Sequence, residues 1–203
     1  PSEVWQYEAG VEYDYKNLVK VNLTGFILET SKEVNETILG SGVFVNSGKT
    51  QRHGLELGIR AQPVRRLNFN GSFAYIRTEI KKNVDEALVG KELNNIPRTV
   101  TNLMLDYTLE SGLGARVNYR NVGKYATGLE NFFYYNGYSR TDATLFFNFA
   151  GTSSKRGQLF VEFNNIFNEN YATYVFDNGG PNDGQSYSAS APRNFSIGVS
   201  YNF

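Results

Sequence analysis

Apolar and polar residues alternate along this chain with a period of two, and the last segment shows it without interruption. Phe195, Ile197, Val199, Tyr201 and Phe203 alternate with Asn194, Ser196, Gly198, Ser200 and Asn202. Successive side chains of an extended strand point to opposite faces, so this spacing gathers every apolar residue on one side. Eight upstream segments repeat the pattern. They carry Trp5 to Tyr13, Val19 to Ile27, Leu55 to Ala61, Leu67 to Tyr75, Leu103 to Tyr107, Leu113 to Tyr119, Ala143 to Phe149 and Leu159 to Phe163 at odd positions. Phe26, Leu28, Ile76, Phe146 and Phe160 break the rule by falling on the polar face. The pattern predicts nine strands, most about 9–13 residues long, close to the ~9–11 residues of a tilted membrane-crossing strand and longer than the ~5–6 of soluble sheets.

The connections between them alternate strictly in length. Short turns fall at Tyr15–Asn17, Gln62–Arg65, Glu110–Gly112 and Gly151–Arg156. Long stretches run from Ser31 to Gly48, Ile80 to Ile96, Ala126 to Asn136 and Asn165 to Ala191. In an up-and-down sheet this sorts all short turns to one end and all long loops to the other, the asymmetry of outer-membrane barrels. The expected fold is all-β, an antiparallel up-and-down transmembrane β-barrel. Nine strands is an odd number, and a closed antiparallel bacterial barrel takes an even one. Residues 1–203 are therefore expected to be the C-terminal portion of a larger barrel, a fragment of about nine strands. A tenth strand at Ile38–Val45 or Tyr171–Phe176 is the competing count.

Composition narrows the chemistry. Lys+Arg and Asp+Glu are 20 each, so no basic excess points to nucleic acid. There is no cysteine and one histidine, His53. Thiolate metal sites, thiol nucleophiles and multi-histidine centres are excluded, and no metal, cofactor or enzymatic site is expected. The mean hydropathy of −0.41 and the lack of a long apolar run leave no transmembrane helix, which does not bear on strands that cross a membrane.

Four stretches carry a family resemblance. They are Glu3-Val-Trp-Gln-Tyr-Glu-Ala-Gly-Val-Glu-Tyr13, Asn46-Ser-Gly-Lys-Thr-Gln-Arg-His-Gly-Leu-Glu-Leu57, Ile96-Pro97-Arg98 with Asn102 and Tyr107, and Val161-Glu-Phe-Asn-Asn-Ile-Phe-Asn-Glu-Asn-Tyr171. With Pro192-Arg193 opening a final strand that ends in Phe203, they resemble, in order, the C-terminal barrel half of TonB-dependent outer-membrane receptors. The resemblance implies a bacterial outer-membrane location, a 22-stranded barrel with an N-terminal plug, and contact with TonB through a missing N-terminal region. It implies uptake of a scarce metal chelate, most often a ferric siderophore. It also implies that the C-terminal strand ending in Phe203 is an assembly signal read by the assembly machinery. A porin-like passive channel and a small self-contained adhesin-like barrel are the alternatives.

Candidate ligand-binding residues are the long-loop aromatics Phe132, Phe133, Tyr134, Tyr135 and Tyr187, which are suited either to stacking on a flat chelate or to the aromatic girdle at the headgroups. Tyr174 and Phe176 share that ambiguity. His53 reads as a polar rim residue. Asp177 to Gly184 reads as a turn-rich loop, lacking the ordered ligands of a calcium site. The polar-face charges Glu8, Glu12, Asp14, Lys20, Glu56, Arg60, Asp106, Arg116, Arg120, Asp142 and Glu162 are expected to line a wet lumen, pair among themselves and face the plug. Outer-membrane lipid is the expected partner of the apolar face.

Overall fold

The computed structural model describes residues 1–36, 44–150, 156–178 and 180–202. Thirteen strands are described: β1 (Glu3–Tyr15), β2 (Val19–Glu36), β3 (Phe44–Val64), β4 (Leu67–Lys82), β5 (Thr99–Thr108), β6 (Leu113–Val122), β7 (Tyr125–Ala126), β8 (Tyr134–Tyr135), β9 (Tyr138–Ala150), β10 (Arg156–Asn164), β11 (Ala172–Asp177), β12 (Gln185–Ala189) and β13 (Asn194–Asn202). Nine of them form one sheet in the order β1-β2-β3-β4-β5-β6-β9-β10-β13, every pairing antiparallel. The expected nine-stranded up-and-down wall is therefore present. The remaining four strands form two small hairpins, β7-β8 and β11-β12, inside long connections. The segment Tyr171–Phe176, weighed above as a tenth spanning strand, thus belongs to a separate two-stranded sheet.

Register turns the alternation into two chemically distinct faces. The odd face aligns Val11, Leu23, Leu57 and Phe73 in one row, and Leu145, Val161 and Ile197 in another. Most of these residues are exposed, Ile197 at 73% and Leu145 at 53%, and Leu57 and Val161 are half-buried. So broad an apolar surface is stable only against lipid or another apolar layer. The even face aligns Asn22, Gly58, Ser72, Asn102, Arg120 and Arg140 in a single row across six strands.

Three of the five apolar residues that break the alternation have a local reason. Phe26, Phe146 and Phe160 each lie opposite a glycine, at Gly54, Gly114 and Gly198. An added Cβ at Gly114 or Gly198 would meet the facing ring at 2.3 Å. The outer edge of each ring reaches over the glycine's bare backbone, an arrangement that shields a strand glycine. Phe146 is buried this way and also lies 5.8 Å beneath the Arg116 guanidinium.

The turn after β1 shows how sequence fixes register. Lys16 and Asn17 both take left-handed backbone (φ 52° and 56°), and Leu18 N–H donates to the Tyr15 carbonyl at 2.8 Å. That combination matches the right-handed twist of the strands it joins. Of the stretch Ser31–Gly48, expected as a long loop, the described residues are strand: β2 runs on to Glu36 and β3 starts at Phe44, while residues 38–43 of the candidate strand Ile38–Val45 lie outside the described residues. Residues 31–36 are polar except for Val34, so the alternation signal fades there. The pairing is instead supported by Lys49–Glu29 (3.1 Å) and by a Thr50 hydroxyl bond to Glu33 (2.8 Å).

Candidate functional site: the loop cluster and the polar face

Three long connections lie at the same end of the sheet: Asn83–Arg98, Gly123–Gly137 and Asn165–Arg193. They are bonded to one another. Asn131 and Glu92 exchange two bonds: Glu92 N–H donates to Asn131 Oδ1 (2.7 Å), and Asn131 Nδ2 donates to the Glu92 carbonyl (2.9 Å). Lys91 Nζ donates to the Glu130 carbonyl at 2.7 Å, and Arg98 holds the Glu92 carboxylate by two donors at 2.7 and 3.2 Å. Gln185 Nε2 donates to the buried Thr127 hydroxyl (2.8 Å), and Ala172 N–H donates to the Tyr135 hydroxyl (3.0 Å), joining the second loop to the third. Ala126 and Val175 are fully enclosed, giving the cluster its own small apolar centre.

Asn165 fastens the third loop to the sheet. It follows β10 in left-handed backbone (φ 53°) and is only 2% exposed. Its N–H donates to Asp142 Oδ1 (2.8 Å), its Nδ2 to the Glu169 carbonyl (2.9 Å), and its Oδ1 accepts from Glu169 N–H (2.9 Å). Asn168, also left-handed, accepts from Arg193 N–H (2.9 Å), and Tyr171 stacks on Tyr138 at 4.2 Å. The Asn-Asn-Ile-Phe-Asn-Glu-Asn-Tyr run is thus a folded clasp. Asparagine serves here because it tolerates left-handed backbone and both donates and accepts locally.

The aromatic run divides. Tyr134 carries Lys124 Nζ at 4.5 Å and the Arg98 guanidinium at 5.4 Å over its ring. Exposed Phe132 carries Lys91 at 5.9 Å. Tyr135 turns the other way, 5.5 Å from Tyr125 and 6.4 Å from Tyr187. Burial among these rings pushes the Tyr125 phenol above its ordinary range. Tyr187 is exposed and donates its hydroxyl to Gln185. Phe133 is half-buried, and its carbonyl accepts from Thr127. Tyr174 and Phe176 form an exposed pair at 5.9 Å. His53 is exposed on the odd face in the row Ile27, His53 and Arg77, where apolar positions give way to Glu29, Gln51 and Glu79. Among the described residues no cluster of three or more potential metal ligands occurs. Phe203 lies outside the described residues. Sequence reasoning missed Asn131, Glu92, Asn165 and Arg140; an Asn just past a strand end was the available signal for Asn165.

The even face is concave over β2 to β9, where a groove of ≈ 550 Å³ is lined by Asn22, Asn70, Asn102, Asn118, Arg120 and Arg140, among others. Charge pairing on this face is partial: Lys20–Glu12 (2.8 Å), Arg116–Asp106 (3.0 Å) and Arg140–Asp142 (2.8 Å) are made. No ion pair to Arg60 or Arg120 occurs among the described residues.

An open sheet of long strands with an apolar face and a polar concave face, its long loops collected at one end, is the wall of a large transmembrane β-barrel. The sequence matches the "TonB dependent receptor-like, beta-barrel" family over residues 1–166. The chain belongs to that family, whose place is the bacterial outer membrane. It is 24% identical to the probable TonB-dependent siderophore receptor PiuA of Acinetobacter baumannii over 96% of this chain and 27% of PiuA. It is 26% identical to the ferrichrome outer membrane transporter/phage receptor of Escherichia coli K12, over 89% of this chain and 24% of that protein. The chain thus spans about a quarter of the length of these relatives. The crystal structure of BauA, the ferric preacinetobactin receptor of A. baumannii, shares the fold with a TM-score of 0.79 and 19% identity, covering 98% of this chain and 29% of BauA.

Proposed function

We propose that residues 1–203 form the C-terminal portion of the barrel of an outer-membrane active transporter. Its cargo is a scarce metal chelate of the ferric-siderophore type, and its energy comes through TonB, engaged by parts of the receptor beyond this chain. The observation that carries this reading is the pre-assembled loop cluster, which presents Phe132 and Tyr134 with Lys91, Lys124 and Arg98 over their rings. An aromatic surface backed by cations suits a flat anionic chelate. Phe132, Phe133, Tyr134, Tyr135 and Tyr187 are its proposed contact residues, with Tyr135 acting chiefly to hold Tyr187 in place. The odd face is the proposed lipid contact, and Phe203 the proposed recognition point for the assembly machinery.

The test is uptake of radiolabelled iron from defined ferric chelates by iron-starved cells expressing the full receptor. Accumulation that disappears in cells lacking TonB supports the proposal. Equal entry with and without TonB, together with steady ion conductance in planar bilayers, would identify a passive channel instead.

A further inference from the structure

On the polar face Arg120 and Arg140 stand directly opposite each other on β6 and β9. Directly opposed side chains in an antiparallel pair have Cβ atoms only ~4.5–5.5 Å apart, and like charges there repel. Their environment relieves this on one side only. Arg140 Nη2 pairs with Asp142 (2.8 Å) and Nη1 donates to the Tyr171 hydroxyl (3.3 Å), while its Nε is buried without a partner. Asp142 is also committed to Asn165 N–H. Arg120 is exposed and has no ion pair among the described residues. Both guanidiniums line the ≈ 550 Å³ groove beside the amides of Asn102 and Asn118. The local balance, two guanidiniums against one carboxylate, is +1. Arg60 lines the same groove but lies three strands from β6. At ~4.8 Å per strand it is too far to share a small ligand with Arg120.

We infer that Arg120 and Arg140, with the Asn102 and Asn118 amides, form a carboxylate-binding site on the lumenal wall. A carboxylate between the two guanidiniums offsets the like charges of the directly opposed pair. Planar guanidinium donors match that group's geometry. The inference rests on the proposed transporter reading in taking this face as the lumen. The carboxylate comes either from an Asp or Glu elsewhere in the receptor or from an acidic chelate passing through.

The experiment uses the full receptor in detergent, unaltered and as Arg120→Gln, Arg120→Glu and Arg60→Gln. Thermal unfolding is read by circular dichroism, and binding of citrate is titrated calorimetrically. If the receptor supplies the carboxylate, both Arg120 variants unfold at lower temperature, Arg120→Glu more so, and citrate does not bind to any of the four. If it is supplied from solution, citrate binds, and Arg120→Gln weakens it by about tenfold, as loss of one charge-assisted bond requires. Arg60→Gln leaves both readouts unchanged in either case. Unfolding temperatures that stay the same or rise in both Arg120 variants, with citrate binding absent or equal in all four, would overturn the site. A rise is the expected sign if Arg120 only repels Arg140. TonB-dependent uptake by the unaltered receptor is scored separately, so loss of this site and loss of the transport reading are distinguishable.

Discussion

Replacing Asn165 with alanine should release the third loop while leaving the sheet intact. Four good bonds hold this residue, and the two made by its backbone, from its N–H to Asp142 and from Asn168 N–H to its carbonyl, survive the change. The two bonds made with Glu169 through Nδ2 and Oδ1, each 2.9 Å long, do not. The longer contact of Nδ2 with the Ala191 carbonyl, at 3.5 Å, is too weak to count. The lost bonds are worth ~1 kcal/mol each, and holding an alanine in left-handed backbone costs ~1–2 kcal/mol. Together these amount to about 3–4 kcal/mol, or a rise on the order of 10²–10³-fold in the opening equilibrium. The cost is local, because the nine-stranded sheet does not depend on this side chain. Hydrogen exchange by mass spectrometry on the full receptor should show amides of β11 and β12 exchanging faster by that factor, with β9 and β10 unchanged. Asn165→Gly removes the same bonds but not the backbone freedom, so its effect should be smaller, at ~30-fold for ~2 kcal/mol. Unchanged exchange in Asn165→Ala would refute the clasp. Equal effects for alanine and glycine would refute the part assigned to the left-handed backbone.

Spin labels at Leu145 and Thr144, adjacent but on opposite faces, should report lipid and water respectively; equal accessibility to oxygen and to a polar nickel reagent would remove the face assignment. Gly114→Ala should lower stability by ~1–3 kcal/mol, because its Cβ would meet the Phe146 ring at 2.3 Å and the Tyr107 carbonyl at 2.8 Å; denaturant unfolding in lipid vesicles measures this, and an unchanged midpoint would mean that the ring is free to move aside. Protease added to intact cells should cut between Asn178 and Gly184, the turn of the β11-β12 hairpin, before any short turn of the sheet; cleavage only after the membrane is broken would reverse the topology. Deleting Phe203 tests its proposed recognition role, since anchoring alone is worth only ~1.5–3 kcal/mol: recognition predicts periplasmic accumulation and degradation on cell fractionation, and unchanged outer-membrane levels would refute it.

The sequence by itself determined the spanning strands. Their side chains divide between two uniform faces, one apolar and one polar, so each position is specified by its own parity with little help from neighbours. The nine segments, their order and the sorting of short and long connections were legible for that reason. Beyond the apolar belt both faces become polar and parity carries no signal, which is why the continuation of β2 and β3 past Thr30 was read as loop. The exceptions at Phe26, Phe146 and Phe160 needed register, since a ring on the polar face makes sense only once the glycine opposite it is known. The loop cluster was decided wholly by tertiary structure. Asn131 meets Glu92 across 39 positions and Gln185 meets Thr127 across 58, and such pairs follow no local period. The opposition of Arg120 and Arg140 has the same origin: each residue obeys the alternation of its own strand, and only the pairing of β6 with β9 brings two like charges face to face.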